Sequence, residues 1–290
     1  MNSNYDDLFS DLMGIDAGVT GLSRCYLRSP FKYSGNKFAS LDFILPLLKP
    51  HKFKRYVEGC GGSGAVLFNK PKHKVEIFND RCEQISNFFT VLFNRPDALV
   101  EQLNILPVSR LIWKDFHALV ATLKIDNQLK YAVMWYYVMC NSFGGLGEAF
   151  GRSLNTKNSS HLSHVNDFRR YSLRLRGVLI ESKDIFNLLD EFDGSDTEIY
   201  LDPPYVKGSC QSQNKYACDM DRSTHIRLIE KVQTMEARII ISSYDNELYN
   251  SFTWDEILKY TMKSNNIANN TNTVRTKQIE KAYIKYERFA

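Results

Sequence analysis

The sequence predicts an α/β fold: a mostly parallel sheet with helices on both faces, interrupted by a mostly helical insertion. Three observations carry that prediction. Short strand-like runs recur at 54–60, 74–80, 177–184, 197–204 and 237–244, the last three apolar in the manner of buried parallel strands. Helix-like segments stand between them, as crossovers in a parallel sheet require. Between 96 and 176 the rhythm breaks into bulky aromatic and polar stretches, which reads as an insertion.

Taken in order, residues 1–27 form an acidic extension. They lack the basic start and apolar core of a secretory signal. "NKFASLDFILPLLKP" (36–50) reads as a short amphipathic helix stopped near Pro46 and Pro50. "KRYVEGC" and "KVEIFND" are two strands around a glycine-rich turn and helix. The insertion carries the run "KYAVMWYYVMCNSFGG", read as its helical core, and then "FRRYSLRLR", which gathers Arg169, Arg170, Arg174 and Arg176. After the strands "GVLIESKD" and "TEIYLDPP", "DRSTHIRLIEKVQTM" reads as a helix capped by Asp221 or Ser223. His225, at its start, is most simply structural. "ARIIISSY" comes next as a strand. "KAYIKYERF" alternates apolar and charged residues, and so reads as a late edge strand.

Composition narrows the class. The 290 residues, 43% hydrophobic and 24% charged, suit one sizeable domain with an insertion, or two small domains. No run of about 18 apolar residues exists, so no membrane span is expected. Six cysteines without a C-x-x-C pair suit free thiols in a reducing cytoplasm, and neither H-E-x-x-H nor a Walker loop occurs; no metal is expected. A net charge of +4 permits a polyanionic partner without demanding one.

Two motifs carry chemistry. In "YVEGCGGSGAVLFN" (56–69) a strand ends in an acid, a glycine cluster and a helix start. Glycines let a backbone approach a ligand closely, beside a helix N-terminus. Gly59, Gly61 and Gly64 satisfy G-x-G-x-x-G, and Asp80 lies at the distance of a ribose-binding acid, so a nicotinamide dinucleotide is one candidate. Glu58 would sit badly beside a pyrophosphate. It suits a cofactor with a cationic centre and an amino group, such as S-adenosylmethionine. The second motif is "EIYLDPPYV" (198–206). Two prolines end a strand and stiffen the backbone just beyond it. Asp202 and the Pro203 carbonyl could accept the two N–H bonds of an exocyclic amine and aim its lone pair, with Pro204 bracing the turn and Tyr205 stacking on the base.

Together these segments resemble the Dam-type, alpha-class DNA adenine-N6 methyltransferases, in order from about residue 28 to the C-terminus. "FKYSGNK" resembles the family's opening element, which implies that Tyr33 and Lys37 contact the cofactor's methionine end. "VEGCGGSGAVLFN" resembles its glycine motif, implying Glu58, Gly59, Cys60, Gly61, Gly62 and Gly64. "FND" implies Asp80 at the ribose, and "ESKDIFNLL" implies Asp184 near the cofactor's adenine. "DPPY" is the catalytic motif, and "IISSYDNELY" resembles the family's next strand and turn. Gly59 and Cys60 stand where the family usually has Pro and Phe. "NSFGGLGEAFGRSLNTKNSS" only loosely resembles the family's GATC-reading hairpin, and a recognition arginine does not stand where that hairpin carries one.

The resemblance implies a Rossmann-like methyltransferase sheet from 28–95 and 177–290, with 96–176 as target-recognition insertion. It implies transfer of a methyl group from S-adenosyl-L-methionine to an adenine flipped out of double-stranded DNA, without a metal, by a cytoplasmic monomer or weak dimer. For DNA contacts the sequence offers Asn141, Arg169, Arg170, Arg174 and Tyr216. Cytosine-N4, RNA or protein-glutamine methylation, and a silent DNA-binding relative, remain the alternatives.

Overall fold

The computed structural model describes residues 26–122, 124, 126–152, 161–206, 220–262 and 278–288. Four short parallel strands form first: β1 (Arg55–Glu58), β2 (Val75–Asn79), β3 (Val178–Glu181) and β4 (Thr197–Leu201). β5 (Arg238–Tyr244) extends them in parallel, and β6 (Glu256–Met262) and β7 (Gln278–Lys285) close the sheet in the order β3-β2-β1-β4-β5-β7-β6. The chain walks outward from β1 to β3 and then returns to place β4 on the other side of β1. That reversal leaves a crevice at the carboxyl ends of β1 and β4, where open α/β sheets bind their ligands.

Strand side chains alternate between two cores, as a period of two requires. Tyr56, Phe78, Tyr200, Ile240 and Ile284 face one hydrophobic cluster; Val57, Ile77, Ile199, Leu201, Ile241 and Tyr283 face the other. The second face is covered by α8 (Ile185–Glu191), α9 (Arg222–Thr234) and α10 (Glu247–Asn250). Asp221 caps α9 by accepting from the Thr224 amide at 2.7 Å. The first face is covered by α1 (Leu41–Ile44), flanked by 3-10 turns from Lys37 to Leu47, by α2 (Ala65–Asn69) and by α3 (Glu83–Asn94).

The inserted region is mostly helical: α4 (Pro96–Asn104), α5 (Arg110–Thr122), α6 (Gln128–Cys140) and α7 (Phe168–Arg174). Its aromatic run is buried, and α6 and α7 share the first core with the sheet. Tyr136 stacks on Phe88 with ring centroids 5.2 Å apart, and Phe168 meets Tyr136 edge-on. A smaller cluster around Trp113, Tyr137 and Val138 joins α5 to α6.

The C-terminal strand corrects the sequence reading. β7 is an inner strand, antiparallel to both β5 and β6, and β6 is the edge. The charges in "IEKAYIK" are buried and partnered rather than solvated. Lys281 pairs with Asp245 at 2.6 Å, Lys285 donates to the Met235 and Ala237 carbonyls, and Glu280 faces the site. Among the described residues no helix is long and apolar enough to cross a membrane.

Candidate active site

One cleft lies at the carboxyl ends of β1, β2 and β4, roofed by the loop 33–37. It encloses about 1140 Å³, part of it open to solvent. The glycine turn forms its floor. The Gly59 amide donates to the Tyr200 carbonyl at 3.0 Å and the Gly61 amide to the Asn79 carbonyl at 2.9 Å, so the turn is pinned to both neighbouring strands. A Cβ at Gly61 would lie 2.0 Å from the Phe78 ring, and Gly62 adopts φ +52 beneath Tyr33. The cradle is therefore bare backbone. Its Gly59, Cys60, Gly61 and Gly62 line the cleft, while Gly64 lies behind them as the N-cap of α2.

Three acids line the cleft around this cradle. Asp80 accepts from the Gly62 amide at 2.8 Å and from the Cys82 amide at 2.9 Å, tying the turn to the end of β2. Burial raises its pKa, and the two amides oppose that rise. Asp184 caps α8 through the Phe186 amide, with Phe186 also on the cleft wall. Glu58 is 2% exposed and accepts from the Tyr56 hydroxyl at 2.8 Å. Burial pushes its pKa up to about 8 against the pull of Tyr56, Lys70 and Arg174, so it holds a proton at neutral pH.

Asp202 stands at the end of β4. Its Oδ2 accepts from the Lys37 ammonium at 2.6 Å, and its Oδ1 from the Ser242 hydroxyl at 3.0 Å. Burial raises its pKa to about 6, and the Lys37 charge restrains the rise. Pro203 and Pro204 continue the wall. The Lys37 ammonium lies 4.9 Å from the centroid of the Tyr205 ring, whose hydroxyl donates to Glu280 Oε1 at 2.8 Å. The structure thus gathers Tyr33, Lys37, Asp80, Asp184 and the Asp202–Pro204 wall around one cleft. Lys37 is spent on Asp202 and on the Gly35 carbonyl.

Three side chains at this site were not foreseen. Asn79 donates to the Gly59 and Lys183 carbonyls and accepts from the Lys183 amide at 2.7 Å, clipping three loops together. Ser242 and Glu280 hold Asp202 and Tyr205 from β5 and β7. Asn79 lies inside "FND" and Ser242 inside "IISSYDNELY", so the motifs contained them without marking their role. Glu280 had no motif.

Two of the DNA-contact candidates are corrected. Arg174 is fully buried, with both terminal nitrogens on Glu76 at 2.6 and 3.0 Å, and cannot reach a phosphate. Asn141 is 1% exposed and donates to the Tyr137 carbonyl, packed against His161. Arg169 is exposed beside Asp97, and Arg170 is half-buried beside Asp167; neither lines the cleft. Tyr216 lies outside the described residues. His225 is buried against the Tyr249 hydroxyl, at 3.0 Å.

Comparison with known proteins bears on what the cleft is for. Residues 33–275 match the D12 class N6 adenine-specific DNA methyltransferases. The chain is 27% identical over 272 residues to the type II methyltransferase M.MjaIII of Methanocaldococcus jannaschii, across 80% of this chain and 92% of that protein. It is 25% identical over 261 residues to the modification methylase StsI of Streptococcus sanguinis, across 83% of this chain but 39% of that longer protein.

Proposed function

The chain belongs to the D12 class N6 adenine-specific DNA methyltransferases, and from that premise we propose which of its residues carry the reaction. As a member it methylates adenine N6 in DNA and uses S-adenosylmethionine, which supplies an electrophilic methyl group when bound. The residues present suit that cofactor. A Cβ at Gly59 or Gly61 would strike the core side chains Leu201 and Phe78, so only glycine lets this turn sit against the sheet with its backbone facing the cleft, and the acids Glu58 and Asp80 flank it as a cationic end and a ribose require. Asp184 and Phe186 are assigned to the cofactor's adenine, and Tyr33 with the 33–37 loop to its methionine end.

Methylating an exocyclic amine requires its lone pair to be turned out of conjugation with the ring. We assign that task to Asp202 and the Pro203 carbonyl, which accept the amine's two N–H bonds and stabilise the positive charge that develops on nitrogen. Tyr205 stacks on the extruded base. One observation carries this reading: a half-buried carboxylate, with both oxygens already oriented by Lys37 and Ser242, faces the glycine cradle across a single cleft. Such preorganisation leaves little to rearrange during transfer. Region 96–176 is assigned to target recognition. Arg169 and Arg170 remain candidates for phosphate contact, and Phe143, 73% exposed on a turn whose Gly145 abuts the Lys32 backbone, is the aromatic offered to DNA beside the cleft.

Asp202→Ala tests the assignment. Methyl incorporation into unmethylated genomic DNA should fall by about 10²- to 10³-fold, the scale for losing a preorganised electrostatic contact. Cofactor affinity by calorimetry should stay within a few-fold of wild type. Retained activity would remove Asp202 from the chemistry.

A further inference from the structure

Glu280 lies on β7, beyond the segment 33–275 that carries the family match, and is 1% exposed. Its Oε1 accepts from the Tyr205 hydroxyl at 2.8 Å and stands 3.6 Å from the Lys37 ammonium; its Oε2 accepts from the Ser40 hydroxyl at 2.6 Å. A carboxylate so far from water must be compensated by partners, and these come from the three parts that shape the amine pocket. They are the stacking ring, the lysine that holds Asp202, and the turn that carries that lysine. Lys37 is 2.6 Å from Asp202, so a shift of under an ångström brings its ammonium into hydrogen-bond range of Glu280 instead.

We propose that Glu280 is a positioning residue for methyl transfer: it fixes the plane of the Tyr205 ring through the phenol and serves as the second acceptor for the Lys37 ammonium, which leaves Asp202 Oδ2 open to the incoming amine. The inference rests on the site reading above. It explains why a strand alternating charged and apolar residues runs inside the sheet at this point. The Ser40 contact alone would make Glu280 a mere tie between β7 and the first helical segment. The shared Oε1, facing both Tyr205 and Lys37, assigns it to the pocket.

The test is Glu280→Gln, which keeps the shape and removes the charge. Single-turnover transfer from a preformed S-adenosylmethionine complex to unmethylated genomic DNA should slow about 10- to 100-fold, the scale of ångström-level misplacement. Cofactor affinity should be unchanged. The acid limb of the rate–pH profile, expected in the wild type near pH 6 where Asp202 takes up its proton, should move lower, because an anion that raises the Asp202 pKa is gone. The other ionisable groups facing Asp202 are Lys37 and Tyr205, which Glu280 itself contacts, and Glu58, Cys60, Tyr200 and Tyr249, whose side chains the substitution leaves in place. A wild-type rate with an unmoved acid limb overturns the proposal. Should Glu280→Gln lose cofactor binding, Glu280→Asp decides. It retains the charge but withdraws it from Tyr205, so slowed transfer with an unmoved acid limb supports the proposal and wild-type transfer overturns it. Asp202→Ala, run in parallel, separates the two levels. Activity there overturns the site reading itself, whereas wild-type behaviour of Glu280→Gln beside an inactive Asp202→Ala overturns only the role of Glu280.

Discussion

At the scale of single residues, the cleft is defined by acids whose environments differ. Glu58 is held near pKa 8 by burial, so at pH 7 it is mostly protonated in the free protein. A cationic group arriving beside it favours the ionised form. Cofactor binding at pH 7 should therefore release a proton from Glu58, and affinity should rise as pH increases from 6 towards 8. Calorimetry in buffers of different ionisation enthalpy checks this. The released fraction should vanish in Glu58→Gln, and a release equal in both proteins would detach Glu58 from the cofactor's cationic end. Asp80 acts differently, because both its oxygens are already fixed by amides. Asp80→Ala removes a charged hydrogen-bonding group worth about 1.5–3 kcal/mol, so the cofactor dissociation constant should increase about 10- to 100-fold. Unaltered affinity in that variant would reject the ribose assignment. These acids were legible because each sits inside a contiguous motif. The roles of Asn79 and Ser242 were not legible although both lie inside motifs, and Glu280 lies in none, because a residue that orients another is marked only by the pairing of distant strands.

At the scale of elements, apolar runs located β4 and β5 because strands covered on both faces leave little room for polar residues, and β3 kept its apolar V-L-I run although it is a half-exposed edge strand. The last two strands escaped the same logic. β6 is half-exposed along its length, with Ile257 40% exposed, and so carries no strong apolar signal. β7 carries charges that look solvated in sequence yet are themselves buried and each met by a partner. The arginine run misled for a related reason. A seven-residue helix turns its side chains in every direction, so Arg169 meets solvent while Arg174, five residues on, enters the core. The glycine turn offers the cleanest element-scale test. At Gly61 an added methyl would meet a core phenylalanine ring rather than a flexible chain end. Gly61→Ala should cost about 1–3 kcal/mol in unfolding free energy through overpacking. It should also weaken cofactor binding, since the displaced turn is the cradle itself. Thermal melts with and without S-adenosylmethionine measure both effects, and an unchanged melt in the variant would mean that the turn relaxes freely.

At the scale of the whole molecule, the two ends of the sheet hold opposite arrangements of charge. The carboxyl end presents acids to a cleft, while the amino end buries a closed ionic network. Glu76 on β2 is bound by Arg174 of the insertion and by Lys70; Glu198 on β4 is bound by His73 and Arg238; and Lys70 and His73 join the two halves at 2.9 Å. This network ties the inserted helix α7 to the strands, so the insertion that is assigned to recognition is anchored rigidly beneath the catalytic sheet. Burial alone would raise the Glu76 pKa, but Arg174 and Lys70 overcome it and hold the group at about 2, against an ordinary value of 4.5. A carboxyl depressed in the folded state contributes stability that is fully present above pH 4.5 and is lost as pH falls towards 2. Urea unfolding between about pH 5 and about pH 2.5 should therefore show a steeper acid loss in the wild type than in Glu76→Gln. Arg174→Ala strips the main partner from a buried anion, which should cost about 3–5 kcal/mol at neutral pH. In the same variant the salt dependence of DNA binding, measured under conditions where it remains folded, should keep its slope. A phosphate contact would instead lower that slope by roughly one unit and leave unfolding untouched. The two readings of Arg174 thus predict opposite results from one protein, and its place against Glu76 beneath the sheet favours the loss of stability.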